Sequence, residues 1–493
     1  MDIRLHRAWP AGTVANVLQS SADAPAATVV APPAAPRRGP LRALRLLAFG
    51  SLLGLLLVLA ALAVAVTASG VFDRRAGSWA VPLHLAGGIT VDANVAGLAR
   101  LATSPLGLRL LDGRSSTTRA GHLRFARDGD TLILRCAPCR LRDPRIAAHT
   151  VALPPVELRI TRHAGAENNN KLDLRLAADD LRINATATLS PDGIELDWQL
   201  PSTVLAEVYR VVADAAPEAR YARIDGRIAA SGSVRLPAAR SESRVTLDGA
   251  EVGGLNTERL QSGWFTFGCA AADGSARRVV SGDGEKGWLD SEALGRWLPA
   301  AVLAAEDQRF MQHAGYDDVQ IAAVLGALDL GDDAAPGARR GASTLTQQLA
   351  RTLFTGGERT ASRKLRELLY ALEIERTLGK ERILLLYLNT VDWGPGLCGA
   401  RAAARVYFGK RVAQLTPLEA AWLAGILRSP HAAHAQQFVG GKPDPKRAQW
   451  VLAQMQQMQA LPKAERERWA QRALVLAEPK AAARSGPPAL AQR

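Results

Sequence analysis

Hydrophobic residues follow three different rhythms along this chain. From Leu46 to Ala68 they run without a charged residue (LLAFGSLLGLLLVLAALAVAVTA). A run of that length can cross a hydrocarbon layer of ~30 Å as one helix. It also exceeds the roughly 7–15-residue apolar stretch of a cleaved signal peptide. From about residue 71 the rhythm becomes alternation. VELRIT (156–161) alternates strictly, KLDLRLAADDLRINATATL (171–189) largely does, and Pro191-Asp192-Gly193 is a turn into IELDWQL. GRIAASGSVRL and SRVTLDG repeat the pattern. A period of two predicts strands with one apolar face each, in an antiparallel sheet. From about 286 the apolar positions fall three and four apart. WLPAAVLAAEDQRFMQH, STLTQQLARTLF, SRKLRELLYALEIERTL, KERILLLYLN, TPLEAAWLAGIL and PKRAQWVLAQMQQM are therefore predicted helices.

The expected organisation is multi-domain. A disordered, Ala- and Pro-rich cytoplasmic tail (1–40) precedes a single transmembrane anchor (41–70), a β-rich domain (71–285), a mainly α domain (286–478) and a disordered tail (479–493). Arg37, Arg38, Arg42 and Arg45 stand before the apolar run, whereas Asp73 offsets part of Arg74 and Arg75 after it. The excess of arginine predicts a cytoplasmic N-terminus and a β-rich domain on the extracytoplasmic side.

Charge adds a partner class. The 493 residues carry a net charge of +14, which suits an anionic partner such as a membrane surface or a phosphate-bearing substrate. Nucleic acid is set aside: the positive charge is mostly scattered arginine, and aromatic residues make up only 5%. Of the four cysteines, Cys136 and Cys139 (Cys-Ala-Pro-Cys) read as a local disulfide, since no second CxxC completes a zinc site. Cys269 and Cys398 are left open. The β-rich stretch gathers no constellation of titratable groups, so its expected role is structural or interactive.

Three helical stretches carry candidate chemistry. Val302, Glu306, Phe310 and His313 fall on one face of a helix predicted to run on to a C-cap at Gly315. A glutamate sharing an apolar stripe has its charged form disfavoured, which suits a general base near neutral pH. A glutamate that merely borders a core stripe also accounts for those residues. In GASTLTQQLARTLF (341–354), Thr344 and Gln347 have capping-box spacing. The Gly-Ala-Ser-Thr lead-in is expected to offer backbone N–H groups to a phosphate. Gln348 and Arg351 follow on the face of Thr344. In SRKLRELLYALEIER (362–376), Leu365, Leu368, Leu369 and Leu372 form the expected core stripe, and Arg363, Glu367, Tyr370 and Ile374 a mixed face. Arg before Glu at i,i+4 is the less favourable order for helix stability. An acid held beside a charged substrate would also explain it.

The run EDQRFMQHAG, GASTLTQQLAR, RKLRE, KERILLLYLN and AAARVYFGK…LTPLEAAWLAG resembles, in order, the motifs of the peptidoglycan glycosyltransferases of glycosyltransferase family 51. That family comprises the glycan-polymerising domain of class A penicillin-binding proteins and the monofunctional transglycosylases. The resemblance covers about residues 286 to 475. It implies a lysozyme-like, mostly helical fold with a jaw that dips into the bilayer, and lipid II and the nascent glycan strand as partners. It also implies a bacterial inner membrane location, with the catalytic domain on the periplasmic side. By position, Glu306 matches the general base and Glu367 the second essential acid. Arg363 and Lys364 match basic residues near the donor, and Ser343, Thr344 and Gln348 the substrate-contacting loop and helix. Phe310 and His313 match positions that shape the cleft, with Asp307 in support. Arg351 replaces the usual lysine and Arg447 fits an arginine that meets the pyrophosphate.

Two further departures are Ala342 for a glycine and Gln454 for a lysine. Both acids are retained. No serine has a lysine at the third position after it and no KTG occurs, so no transpeptidase domain is expected; the chain also ends too soon for one. Three matters stay open at this point: assistance of the leaving pyrophosphate by a divalent cation (Mg or Mn), binding of cell-wall synthesis proteins by the β-rich domain, and two other roles. Those roles are an envelope scaffold with a degenerate catalytic domain and a lysozyme-like hydrolase.

Overall fold

A computed structural model describes residues 79–84, 90–163, 170–237, 240–271, 273, 275–317, 343–357 and 360–479. The apolar run 46–68, the tail 1–40, residues 480–493 and Ala342 lie outside them. Among the described residues, no helix is long and apolar enough to cross a membrane.

A short hairpin, β1 (Ala80–His84) and β2 (Thr90–Asn94), leads into helices α1 (Val95–Ala102) and α2 (Pro105–Leu111). Then come β3 (Ser115–Thr118), β4 (Gly121–Asp128), β5 (Thr131–Leu141), β6 (Val151–Leu153), β7 (Val156–Arg162), β8 (Lys171–Ala178), β9 (Leu181–Ser190) and β10 (Gly193–Val204). Helix α3 (Leu205–Val211) precedes the long strands β11 (Arg223–Leu236) and β12 (Arg240–Gly253). These form one antiparallel ten-stranded sheet in the order β12-β11-β10-β9-β8-β7-β5-β4-β3, with β6 on β5. Alternation sorts its faces. Leu172, Ala187 and Leu189 pack with Ala96 of α1, and Leu200, Ala230 and Val245 pack with Val211 of α3. Asp173, Asp197, Gln199 and Arg244 line a trough of about 1320 Å³ on the polar face. The expected Cys136–Cys139 disulfide is present in β5.

A second hairpin, β13 (Trp264–Ala270) and β14 (Ala276–Gly282), introduces the helical part. Its helices are α4 (Ser291–Leu294), α5 (Trp297–Glu306), α6 (Leu345–Ala350), α7 (Ala361–Thr390), α8 (Ala400–Phe408), α9 (Pro417–Ile426), α10 (Pro430–Ala433), α11 (Pro445–Gln457) and α12 (Lys463–Ala470). Helix α9 is the central pillar. Thr416 and Glu419 close its N-terminus in a capping box, and every residue from Leu418 to Ile426 except Glu419 is buried. Helices α5 and α11 pack against it.

Two predicted helices adjoin directly, and one other differs from its expected extent. SRKLRELLYALEIERTL and KERILLLYLN are two helices, as expected, and they meet without a loop at Gly379, whose non-helical backbone (φ +73°) kinks α7 between them. The helix expected to reach Gly315 stops at Glu306, because Asp307 leaves helical geometry (φ −158°) and its carboxylate takes partners elsewhere. Gly315 has φ +87° and closes a run of turns.

Cys269 and Cys398, left open by the sequence, form a disulfide between β13 and the loop after α7. The largest core runs across residue 285. Tyr209, Ile224, Val252, Leu260 and Phe265 belong to the same cluster as Leu369, Ile374 and Leu386. Burial against that core covers more of α7 than the leucine stripe predicts: Glu367, Tyr370 and Ile374 are buried while Leu365 and Leu368 are only partly so.

Candidate active site

Glu306 is the last residue of α5. Leu298, Ala301, Val302 and Ala304 bury the rest of that helix, which leaves the glutamate at the edge of the core. Gln348 Nε2 donates to Glu306 Oε2 at 3.1 Å, and Tyr387 Oη donates to Gln348 Oε1 at 2.9 Å. Burial raises the Glu306 pKa above the ordinary glutamate value. The Gln348 hydrogen bond and the positive charges of Arg447 and Arg351 oppose the rise without cancelling it. Tyr387, itself buried, has its hydroxyl pKa pushed well up by desolvation and by Glu306, so it stays a neutral donor.

Asp307 faces the other way. Its Oδ2 accepts the Leu345 N–H at 2.9 Å, and its two oxygens lie 3.0 and 2.9 Å from His313 Nε2. The Gly315 N–H donates to His313 Nδ1 at 3.2 Å, so the ring proton sits on Nε2, pointed at Asp307. Phe310 is fully buried and meets His313 edge to face at 6.0 Å between centroids. Lys380 Nζ lies 4.4 Å from the Phe310 ring centre and also donates to the His313 carbonyl at 2.6 Å. Asp307, Phe310 and His313 thus form one packed, hydrogen-bonded group in the turns after Glu306.

The start of α6 finds two of its partners within the protein. Thr344 does cap the helix, since its Oγ1 accepts the Gln347 N–H at 3.1 Å. It is fully buried, however, and donates to the Gly315 carbonyl at 2.8 Å. The Leu345 and Gln347 N–H groups of this helix start are thus taken within the protein, by Asp307 and by Thr344 itself. The anionic partner of the helix start is a side chain of the protein itself.

The positive charge lies one helix away. On the first turns of α7, Arg363 Nη1 is 2.8 Å and Lys364 Nζ 2.6 Å from the Glu367 carboxylate. Lys364 Nζ also donates to Ser343 Oγ. Glu367 is buried, and burial lowers the Lys364 pKa despite its partner. Arg351 sits at the turn following α6, electrostatically coupled to Glu306, Lys364 and Tyr387. Gly425 of α9 lets Arg447 approach: a Cβ there would lie 2.9 Å from Arg447 Cγ. The Arg447 guanidinium stacks on Trp450 at 3.7 Å. Gln454, one of the departures, accepts from Gln308 Nε2 at 2.6 Å.

Two partners were not singled out in the sequence. Tyr387 looks like one more apolar position of LLLYLN, and its phenol on a buried helix face was the available signal. Lys380 lies just beyond the bend at Gly379, where periodicity says nothing of its direction. Among the described residues no cluster of three His, Cys, Asp or Glu side chains is arranged to hold a metal ion.

Residues 275–456 match the family model described as transglycosylase. Proteins named biosynthetic peptidoglycan transglycosylase are similar to the same part of the chain. The one from Nitrosomonas eutropha is 45% identical over 143 residues, 29% of this chain and 57% of its own. That from Alcanivorax borkumensis is 42% identical over 182 residues, 36% of this chain and 71% of its own. The chain belongs to the peptidoglycan transglycosylase family. It spans less than two thirds of the Nitrosomonas relative and somewhat more of the Alcanivorax one, and both alignments leave most of this chain uncovered. Penicillin-binding protein 1A from Haemophilus influenzae overlaps 44% of this chain and 22% of its own at 19% identity. The TM-score is 0.23, too low to carry an argument.

Proposed function

We propose that this chain is a membrane-anchored, monofunctional peptidoglycan glycosyltransferase that polymerises lipid II into β-1,4-linked glycan and releases undecaprenyl pyrophosphate. The observation that carries the reading is the pair of opposed electrostatic environments within one family-typical helical part. A buried carboxylate with a raised pKa, Glu306, stands at one end, and a cationic group around Glu367 stands on the first turns of α7.

In the proposed reaction the Glu306 carboxylate takes the proton of the acceptor sugar's 4-hydroxyl. The freed oxygen pair attacks C1 of the donor sugar, forming the new C1–O bond as the C1–O bond to pyrophosphate breaks. Attack from the opposite face inverts the α-linkage to β. The leaving pyrophosphate departs with the bonding electrons, and the fixed charges of Arg351, Arg363, Lys364 and Arg447 oppose the charge that develops on it. A raised pKa brings Glu306 closer to neutrality, where a base is both available and able to hold the proton. Glu367 holds Arg363 and Lys364 in register, and Gln348 fixes the orientation of the base. Asp307, Phe310 and His313 brace the turn after it.

The run 46–68, with its flanking arginines, is the proposed anchor in the bacterial inner membrane, with residues after 70 on the periplasmic side. The test is polymerisation of lipid II by the purified full chain, with Glu306→Gln as control. A drop of about 10²–10⁴-fold in rate is expected for removal of a general base. Polymer formation that survives the substitution would overturn the role of Glu306. Wild-type protein that binds membranes and makes no polymer would favour a scaffold role.

A further inference from the structure

The helix that carries Arg363, Lys364 and Glu367 is held along its length by the β-rich part of the chain. The N-terminal N–H groups of a helix have no partner within it. In α7, Ala361 N–H donates to the Arg145 carbonyl and Ser362 N–H to the Ile146 carbonyl, both at 2.8 Å. Ser362 Oγ donates to the Ala215 carbonyl, and Tyr209 Oη donates to the Leu365 carbonyl at 2.9 Å. Two turns on, the buried Glu373 carboxylate accepts the Leu255 N–H at 2.7 Å and the Thr257 N–H at 3.1 Å. Arg376 Nε then donates to the Val252 carbonyl at 3.0 Å.

A further contact is ionic. Arg366 Nε lies 2.8 and 3.0 Å from the two oxygens of Glu218, and Nη2 lies 2.6 Å from Oε1. Glu218 is almost fully buried, at 4% side-chain exposure, against 27% for Arg366. A two-pronged arginine–carboxylate pair fixes orientation as well as distance. Arg366 immediately precedes Glu367 and lies two residues after Lys364, so whatever fixes Arg366 fixes the turn on which the cationic group stands.

We propose that the β-rich region is a positioning element of the glycosyltransferase site, with Glu218 as the positioning residue that sets the α7 turn through Arg366. This rests on the reading of the site above, and it gives the β-rich region a role inside the reaction. The region supplies the partners of the first two N–H groups of the helix, the clamp on Arg366 and the seat for Glu373. Its contacts include helix positions 361, 362, 365, 366, 373 and 376, while 363, 364 and 367 carry the cationic group.

The test uses the full chain in detergent and compares wild type with Glu218→Gln and with the double variant Glu218→Gln/Arg366→Met. Three quantities are read: amide hydrogen exchange across 361–367 with α11 as internal reference, kcat and KM for polymerisation, and the melting temperature. Removing one partner leaves Arg366 uncompensated, so exchange in 361–367 should rise about tenfold or more while α11 is unchanged. The kcat should fall about tenfold with little change in KM. The double variant, which removes the stranded charge, should recover protection at 361–367. Equal exchange and equal kcat in Glu218→Gln would overturn the proposal. So would a rise in exchange shared by α11, because that is general destabilisation. If Glu218→Gln does not fold, Arg366→Lys, which keeps the charge and loses the two-pronged geometry, is read by the same criteria. Should wild type make no polymer, the catalytic reading of the site fails, and the exchange data still decide whether Glu218 holds this turn.

Discussion

Asp307 Oδ2 accepts the backbone N–H of Leu345 at 2.9 Å and so ties the end of α5 to the start of α6. The consequence is local and chemical. Glu306 precedes that junction and Gln348 follows it, and the same junction brings their side chains to 3.1 Å. A carboxylate that shapes the site is thus distinct from the carboxylate proposed to react.

Asp307→Asn should therefore damage the fold as well as activity. An amide can accept from Leu345, but its other end then presents an N–H₂ to the His313 Nε2–H. Breaking a buried, charge-assisted pair of this kind costs about 3 kcal/mol. Denaturant unfolding should show that loss without a change in m-value. A loss below about 0.5 kcal/mol, the usual range of surface substitutions, would mean the carboxylate does not hold the junction.

Glu306 predicts a pH-dependent stability. Its pKa in the folded protein is raised by burial above the ordinary value of 4.5, so folding favours the protonated form. The stability tied to that proton is fully present below 4.5 and is lost as pH rises through the folded-state pKa. Glu306→Gln should hence raise the melting temperature at pH 7 to 8, and the gain should vanish near pH 4, in thermal scans run across that range. A variant less stable than wild type at pH 8 would contradict the assignment of burial as the dominant effect.

The same carboxylate should govern the acidic limb of kcat/KM. Gln348 donates to the ionised form and holds the pKa down, so Gln348→Leu should shift that limb to higher pH. Arg351→Leu should shift it in the same direction, because Arg351 also favours the anion. Profiles measured with lipid II settle this, and a limb that moves to lower pH in either variant would remove Glu306 as the titrating group.

Gly315→Ala tests the turn that replaces the expected helix end. The backbone there has φ +87°, and an added Cβ would lie 2.8 Å from the Ala371 carbonyl oxygen. Strain of this kind costs about 1–3 kcal/mol, and the turn also carries the N–H that fixes His313. A lower melting temperature together with lower activity is expected. An unchanged melting temperature would show that the turn relaxes freely.

The Cys269–Cys398 disulfide joins residues 129 apart in sequence. A cross-link closing so long a loop contributes about 4–5 kcal/mol in the chain-entropy account. Cys269→Ser/Cys398→Ser should lower stability in unfolding experiments more than Cys136→Ser/Cys139→Ser, whose cysteines are only 3 apart. The reverse order would sink the argument.

Much of this molecule is legible in its amino-acid order. Alternation in VELRIT and in KLDLRLAADDLRINATATL specifies β7, β8 and β9, because a strand repeats every two residues whatever surrounds it. TPLEAAWLAGIL specifies α9 and its cap for an equally local reason. The order of the motifs in the helical part was sufficient to suggest the family. The helix through EDQRFMQHAG was not legible, since its periodicity continues to Gly315 while the chain leaves the helix at Asp307.

What the sequence by itself determined are the elements whose short period the packing leaves intact, such as β7 to β9 and α9. What only the tertiary structure decided are the partners. Asp307 bonds Leu345 across 38 positions, Glu306 meets Gln348 across 42, and Glu218 grips Arg366 across 148. No local pattern encodes such distances, because a carboxylate buried in a folding core takes whichever donor the packing of distant helices and sheets brings within reach.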